Sequence, residues 1–157
     1  MTGYLATSLR ANNMGNGAFS ARTSPGDTVV VPLKTDEDVV RLRKQVRDDL
    51  VAMGFSLIEQ TKMVTAASEL ARNTLRYGGG GEAHVVRRDG EKQGIELSFI
   101  DQGPGIENLE LAMTDGYTSG GGLGLGLSGA KRLADEFHID TEPGRGTCVT
   151  IAKWKQF

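Results

Sequence analysis

Cysteine, histidine and aromatic side chains are scarce in this chain, and each shortage narrows the reading. The single cysteine, Cys148, rules out an internal disulfide and suits a reducing compartment. The two histidines, His84 and His138, have no metal-ligand companions at a recognisable spacing. No apolar run approaches the roughly 20 residues that span a bilayer. The N-terminus lacks the apolar centre of a signal peptide. A basic surplus is missing as well: the net charge is −2, against the positive patch that nucleic-acid phosphates require. These absences lead to the expectation of a soluble cytoplasmic protein with small-molecule or protein partners, no nucleic acid and no membrane. At 157 residues one folded domain is expected.

Glycine, by contrast, is abundant, and it is placed unevenly. Fifteen of the 22 glycines fall between Gly78 and Gly129. They interleave with a helical Glu69-Leu-Ala-Arg-Asn73, with Asp101-Gln-Gly-Pro-Gly105, and with Gly120-Gly-Gly-Leu-Gly-Leu-Gly126; Gly144-Arg-Gly-Thr147 follows. Backbone N–H groups reach phosphate oxygens only where no side chain intervenes, so these pieces together suggest a nucleotide site.

The periodicity along the chain places these pieces on elements. Residues 1–27, rich in Asn, Gly, Ser and Thr, are expected to be a disordered extension before a folded domain at 28–157. Thr28 to Leu33 reads as a strand, with Pro32 confining it to an edge. Thr35 opens a helix with Asp38 three residues on; Val39, Leu42, Val46, Leu50 and Met53 form its stripe, and Gly54 ends it. Ser56 and Glu59 make a second capping box for a helix to about Tyr77, with Met63, Val64, Ala67, Leu70 and Ala71 on one face. Residues 82–88 and 95–101 read as a hairpin. Residues 103–122 form a long loop, 123–137 a helix, and 138–141 and 147–154 two further strands. The expected class is an α+β two-layer sandwich: a mixed, mostly antiparallel sheet with helices on one face.

Glu69 and Asn73 are one helical turn apart, pointing away from the apolar stripe. An amide oxygen at Asn73 suits Mg²⁺, and Glu69 can take a proton from a hydroxyl or hold a metal-bound water. Alone, the pair also fits an ordinary solvated helix face. Asp101, ending an apolar strand before two glycines, can accept a hydrogen bond from an exocyclic amine such as that of adenine. The Gly120–Gly126 run joins free N–H groups to a helix N-terminus, a place that favours anionic phosphate. Rival phosphate motifs fit poorly. Gly124 to Gly129 matches G-x-G-x-x-G, but no strand precedes it. There is no Gly-Lys-Ser/Thr of a P-loop and no His-Arg-Asp or Asp-Phe-Gly of a eukaryotic-type protein kinase.

The four boxes in this order and spacing resemble the Bergerat nucleotide-binding fold of the GHKL superfamily. Within it, Gly54 to Asn73 and Gly122 to Phe137 are similar to the small serine/threonine switch kinases of the anti-sigma-factor group, above all the RsbT-type kinases of stressosomes. The resemblance runs from about Thr28 to Trp154. It implies ATP with Mg²⁺ as cofactors, Asn73 as magnesium ligand and Glu69 as base. It further implies Asp101 as the adenine-reading carboxylate, in a pocket shaped by Gly103 and Gly105, with Thr147 helping to hold the base. Gly122, Gly124 and Gly126 would belong to the phosphate loop, and residues 106–120 to a nucleotide lid. The implied partners are STAS-domain proteins as phosphoacceptors and a downstream PP2C-type phosphatase. A related alternative is an anti-sigma factor that sequesters a sigma subunit. A histidine kinase fits less well, because no histidine precedes His84.

Overall fold

The computed structural model describes residues 7–10, 28–114 and 126–156. A short strand β1 (Thr7–Arg10) and a second strand β2 (Thr28–Leu33) precede two long helices, α1 (Asp36–Ala52) and α2 (Leu57–Arg76). A hairpin of β3 (Gly81–Asp89) and β4 (Gln93–Asp101) follows. Then come a one-turn helix α3 (Leu109–Ala112), helix α4 (Gly126–Leu133) and a hairpin of β5 (Glu136–Glu142) and β6 (Gly146–Trp154).

Local chemistry accounts for the helix starts. The backbone N–H groups of Lys34 and Thr35 donate to Asp38 Oδ2 at 2.8 and 3.0 Å, closing the first turn of α1. Ser56 Oγ accepts from Glu59 N–H while Glu59 Oε2 accepts from Ser56 N–H, the reciprocal arrangement read from the sequence. Gly54, with φ of +80°, makes the sharp stop between the helices, a conformation that costs other residues about 1 kcal/mol.

The six strands form one sheet in the order β1-β5-β6-β4-β3-β2. β1 runs parallel to β5 and every other pairing is antiparallel, so the sheet is mixed and mostly antiparallel as expected. The helices pack on one face. Leu33, Leu97, Phe99, Phe137 and Ile151 from the sheet meet Leu42, Leu50, Met63 and Leu70 from the helices in a core that excludes water. Burying each such side chain contributes about 1.5–3 kcal/mol.

Three expectations need correction. Thr7–Arg10, inside the extension expected to be disordered, form the outermost strand of the sheet. The loop after Asp101 contains the single turn α3, capped by Asn108 Oδ1 accepting from Leu111 N–H. Finally, α4 stops at Leu133 instead of running to Phe137. Asp135 N–H donates to the Ala152 carbonyl, the Asp135 carboxylate takes Lys153 Nζ and Trp154 N–H, and Phe137 is fully buried in the sheet. Tertiary pairing overrides the helical spacing there.

Candidate functional site

Helix α2 presents Glu69 and Asn73 at the rim of the core because Ala66, Ala67, Leu70, Ala71 and Thr74 between and beside them are buried. The Glu69 side chain is only 12% exposed, and Arg72 donates to its Oε1 at 3.2 Å. The Asn73 backbone carbonyl accepts the N–H groups of Tyr77 and Gly78, which ends the helix. Its side-chain amide bonds to no described residue.

β4 delivers Asp101 on the same side of the sheet as Phe99, and the carboxylate is buried. Gly103 N–H donates to Oδ1 at 2.9 Å. No cation pairs with it among the described residues. Burial therefore pushes its carboxyl above the ordinary range, and the amides of Gly103 and Thr147 only partly offset this. Glycine makes this burial feasible. A Cβ on Gly78 would lie 2.4 Å from Asp101 Cγ, and one on Gly103 would lie 2.7 Å from Gly78 Cα. The end of α2 and the loop after β4 thus close around the carboxylate with no side chain between.

The loop is fixed to the β5–β6 hairpin. Gly144 N–H donates to the Pro104 carbonyl at 2.8 Å, and Ile106 N–H donates to Thr141 Oγ1 at 3.0 Å. Gly105, at φ +74°, passes so near the Glu142 carbonyl that a Cβ would meet it at 2.2 Å. Thr141 Oγ1 also donates to the Gly146 carbonyl at 3.1 Å and pairs with Thr147 Oγ1 at 2.9 Å. With its one proton committed to Gly146, Thr141 accepts from Thr147.

The structure therefore brings Asp101, Gly103, Gly105 and Thr147 together, and joins them to Asn73 through the Asn73–Gly78 hydrogen bond. Glu69 stands one turn further back. Gly126, at φ +67°, opens α4, which packs on α2. Gly122 and Gly124 lie outside the described residues. Gly78, Thr141 and Gly146 were not assigned to the site from sequence. The signal that could have found Gly78 is the glycine run directly after a capped helix. A cavity of about 560 Å³ opens at the other end of the sheet, lined by Thr28, Gln45, Asp49, Met53, Arg87 and Gln93 among others, away from all of these residues. Among the described residues no helix is long and apolar enough to cross a membrane.

Comparison with known proteins identifies the family. Residues 58–156 match the family described as "Histidine kinase-, DNA gyrase B-, and HSP90-like ATPase". The chain is 40% identical to the serine/threonine-protein kinase RsbT of Bacillus subtilis, over 82% of this chain and 97% of that one. It is 32% identical to the anti-sigma F factor of Clostridium kluyveri, over 62% and 72% of the two chains. Among solved structures, the RsbU and RsbW domains of Rv1364c from Mycobacterium tuberculosis share its fold with a TM-score of 0.57 at 17% identity. That match takes in 85% of this chain and 34% of the other. The chain belongs to the histidine kinase-, DNA gyrase B- and HSP90-like ATPase family, the GHKL superfamily, and within it to the serine/threonine-protein kinases.

Proposed function

We propose that this kinase uses Mg²⁺-ATP to phosphorylate serine or threonine on STAS-domain partner proteins in a stressosome-type partner switch. Released from those partners, it would activate a downstream PP2C-type phosphatase. The observation that carries the reading is a carboxylate buried with no cation among the described residues, walled by glycine, and linked through Gly78 to the Asn73 turn of α2. An amino-bearing base fits this cradle: Asp101 accepts from the exocyclic amine, and Thr147 accepts directly or through water. The unengaged amide of Asn73 fits Mg²⁺, which takes few protein ligands and keeps phosphate oxygens and water for the rest. Bound Mg²⁺-ATP supplies the electrophilic γ-phosphoryl group. Glu69, oriented by Arg72, holds the acceptor hydroxyl and takes its proton at a carboxylate oxygen. The Gly122–Gly126 backbone and the N-terminus of α4 bind phosphate oxygens, so positioning and electrostatics do most of the work. The similarity to a serine/threonine-protein kinase over nearly its whole length supports this assignment.

The similarity to anti-sigma F factors supports a second reading, in which the chain sequesters a sigma subunit and phosphorylates its antagonist. One experiment separates the two. The chain and its Glu69→Gln variant are incubated with labelled ATP and candidate STAS proteins, the labelled residue is mapped, and a sigma factor is offered in parallel pull-downs. Label on a STAS serine or threonine that falls about 100-fold or more with Glu69→Gln is expected. Sigma capture without STAS labelling would favour the second reading. Transfer at the normal rate by the variant would sink the role of Glu69.

A further inference from the structure

Asp101 of β4, Thr147 of β6 and Thr141 of β5 are directly opposite one another in a single cross-strand row. Opposed residues of antiparallel strands share one face of the sheet, so the three are neighbours there. All three are buried. A threonine hydroxyl donates one hydrogen bond and accepts two, and Thr141 has no capacity to spare. Its Oγ1 donates to the Gly146 carbonyl at 3.1 Å and accepts from Ile106 N–H at 3.0 Å. The third contact, 2.9 Å to Thr147 Oγ1, needs a proton that only Thr147 can give. Neither end of this chain of bonds can reverse, because a carbonyl does not donate and a backbone amide does not accept. Gly146 is itself held against β4: a Cβ there would lie 2.2 Å from the Asp101 carbonyl oxygen. The order of donation, Thr147 to Thr141 to Gly146, is therefore fixed by the fold.

With its proton spent on Thr141, the Thr147 hydroxyl has only acceptor capacity left. An ionised Asp101 carboxylate likewise only accepts. Two neighbouring acceptors suit a purine that carries a 6-amino group. They disfavour a 6-oxo purine, whose oxygen would meet them with no proton between. A threonine hydroxyl free to rotate would discriminate less, because it donates as readily as it accepts. We propose that Thr141 determines base specificity through Thr147: by taking the Thr147 proton it makes that hydroxyl an acceptor and selects 6-amino over 6-oxo purine nucleotides. This selection rests on the proposed nucleotide site, in which Asp101 and Thr147 hold the base. Thr141 is a positioning residue, since it acts through Thr147.

Inosine triphosphate isolates the 6-position, because it carries an oxygen where ATP carries the amine and leaves the 2-position bare. Titration calorimetry compares the two nucleotides, each with Mg²⁺, on the full-length unaltered chain, Thr141→Val and Thr141→Ser. The unaltered chain is expected to prefer ATP. In Thr141→Val the Thr147 proton is released, and the ratio of ATP to inosine triphosphate affinity is expected to fall about fivefold or more. Thr141→Ser keeps the hydroxyl and should keep the ratio. A merely structural role would weaken both nucleotides alike, so an unchanged ratio in Thr141→Val would overturn the proposal while leaving the base-reading role of Asp101 intact. Equal affinities in the unaltered chain would instead remove that role, and the proposal with it. Proton NMR of the unaltered chain supplies a measurement that needs no substitution. The hydroxyl protons of Thr141 and Thr147 are expected to exchange slowly with water, with the Thr141 proton directed at the Gly146 carbonyl. A Thr147 hydroxyl proton that exchanges as fast as that of free threonine would also overturn the proposal.

Discussion

Two aspartates are buried at opposite ends of one sheet, and they are kept there by different means. Asp49, on α1, has a side chain only 5% exposed. Arg87 of β3 donates to it through Nε at 3.0 Å and through Nη2, and Gln45 donates to the other oxygen at 3.1 Å. Asp101 has two backbone amides and, among the described residues, no cation. A paired carboxylate holds elements together, whereas an unpaired one is an unfavourable arrangement that stability alone would not select. A cavity of about 560 Å³ opens beside Asp49, whereas the nucleotide site proposed here lies beside Asp101. Perturbed ionisation without a structural partner is the better guide to a working site than empty volume.

The same substitution at both ends breaks this comparison most sharply. Asp101→Asn places an amide donor where an amine donor is to be bound, and adenine nucleotides are expected to bind about 100-fold more weakly, or about 2.7 kcal/mol. The nucleotide-free variant should melt no lower than the unaltered chain. Titration calorimetry with ATP and GTP checks it: equal losses for both from similar starting affinities would mean that Asp101 does not read the base. Asp49→Asn should do the reverse. It leaves Arg87 without its counter-charge, and destabilisation of about 2 kcal/mol is expected. That falls short of the 3–5 kcal/mol of a fully buried pair, because the Arg87 side chain is 43% exposed and can turn to water. Denaturant unfolding measures the loss, with nucleotide affinity unchanged. Weaker nucleotide binding in Asp49→Asn would mean that the two ends are coupled.

How much of this contrast the sequence disclosed follows from the range of each interaction. The Asp101–Gly103 hydrogen bond spans two residues and the Ser56–Glu59 box three, so both were readable from neighbouring letters. The stripe Val39, Leu42, Val46, Leu50 was readable because a helix repeats it, and all four residues are buried. The Asp49–Arg87 pair joins residues 38 apart, and nothing in either segment announces it. Gly78 is a glycine for the sake of an aspartate 23 positions later, too far along the chain for neighbouring letters to show. β1 offers four residues and a parallel partner more than a hundred positions away, too little for any periodicity to show.

Thr147→Val tests a weaker part of the same contrast. The substitution removes one hydroxyl from the Asp101 end while Thr141 keeps Ile106 and Gly146 as partners. A loss of about 1 kcal/mol in nucleotide affinity, some fivefold, is expected with little change in melting temperature. Unchanged affinity would leave Thr147 as a purely structural tie between β5 and β6.

The smallest effect concerns acid. Because burial raises the Asp101 carboxyl in the folded chain, its contribution to stability is complete below the ordinary aspartate range, near pH 4, and is lost as pH rises through the raised value. Between pH 4 and 7 the nucleotide-free chain should therefore lose stability relative to Asp101→Asn. An adenine amine donating to the ionised carboxylate reverses the preference, so nucleotide binding should release protons on the acid side of neutrality, and affinity should weaken there. Calorimetry in two buffers of different ionisation enthalpy detects that release. Asp101→Asn should abolish it and Asp49→Asn should leave it intact; equal proton release from all three chains would place the titrating group elsewhere and remove the electrostatic distinction between the two ends of the sheet.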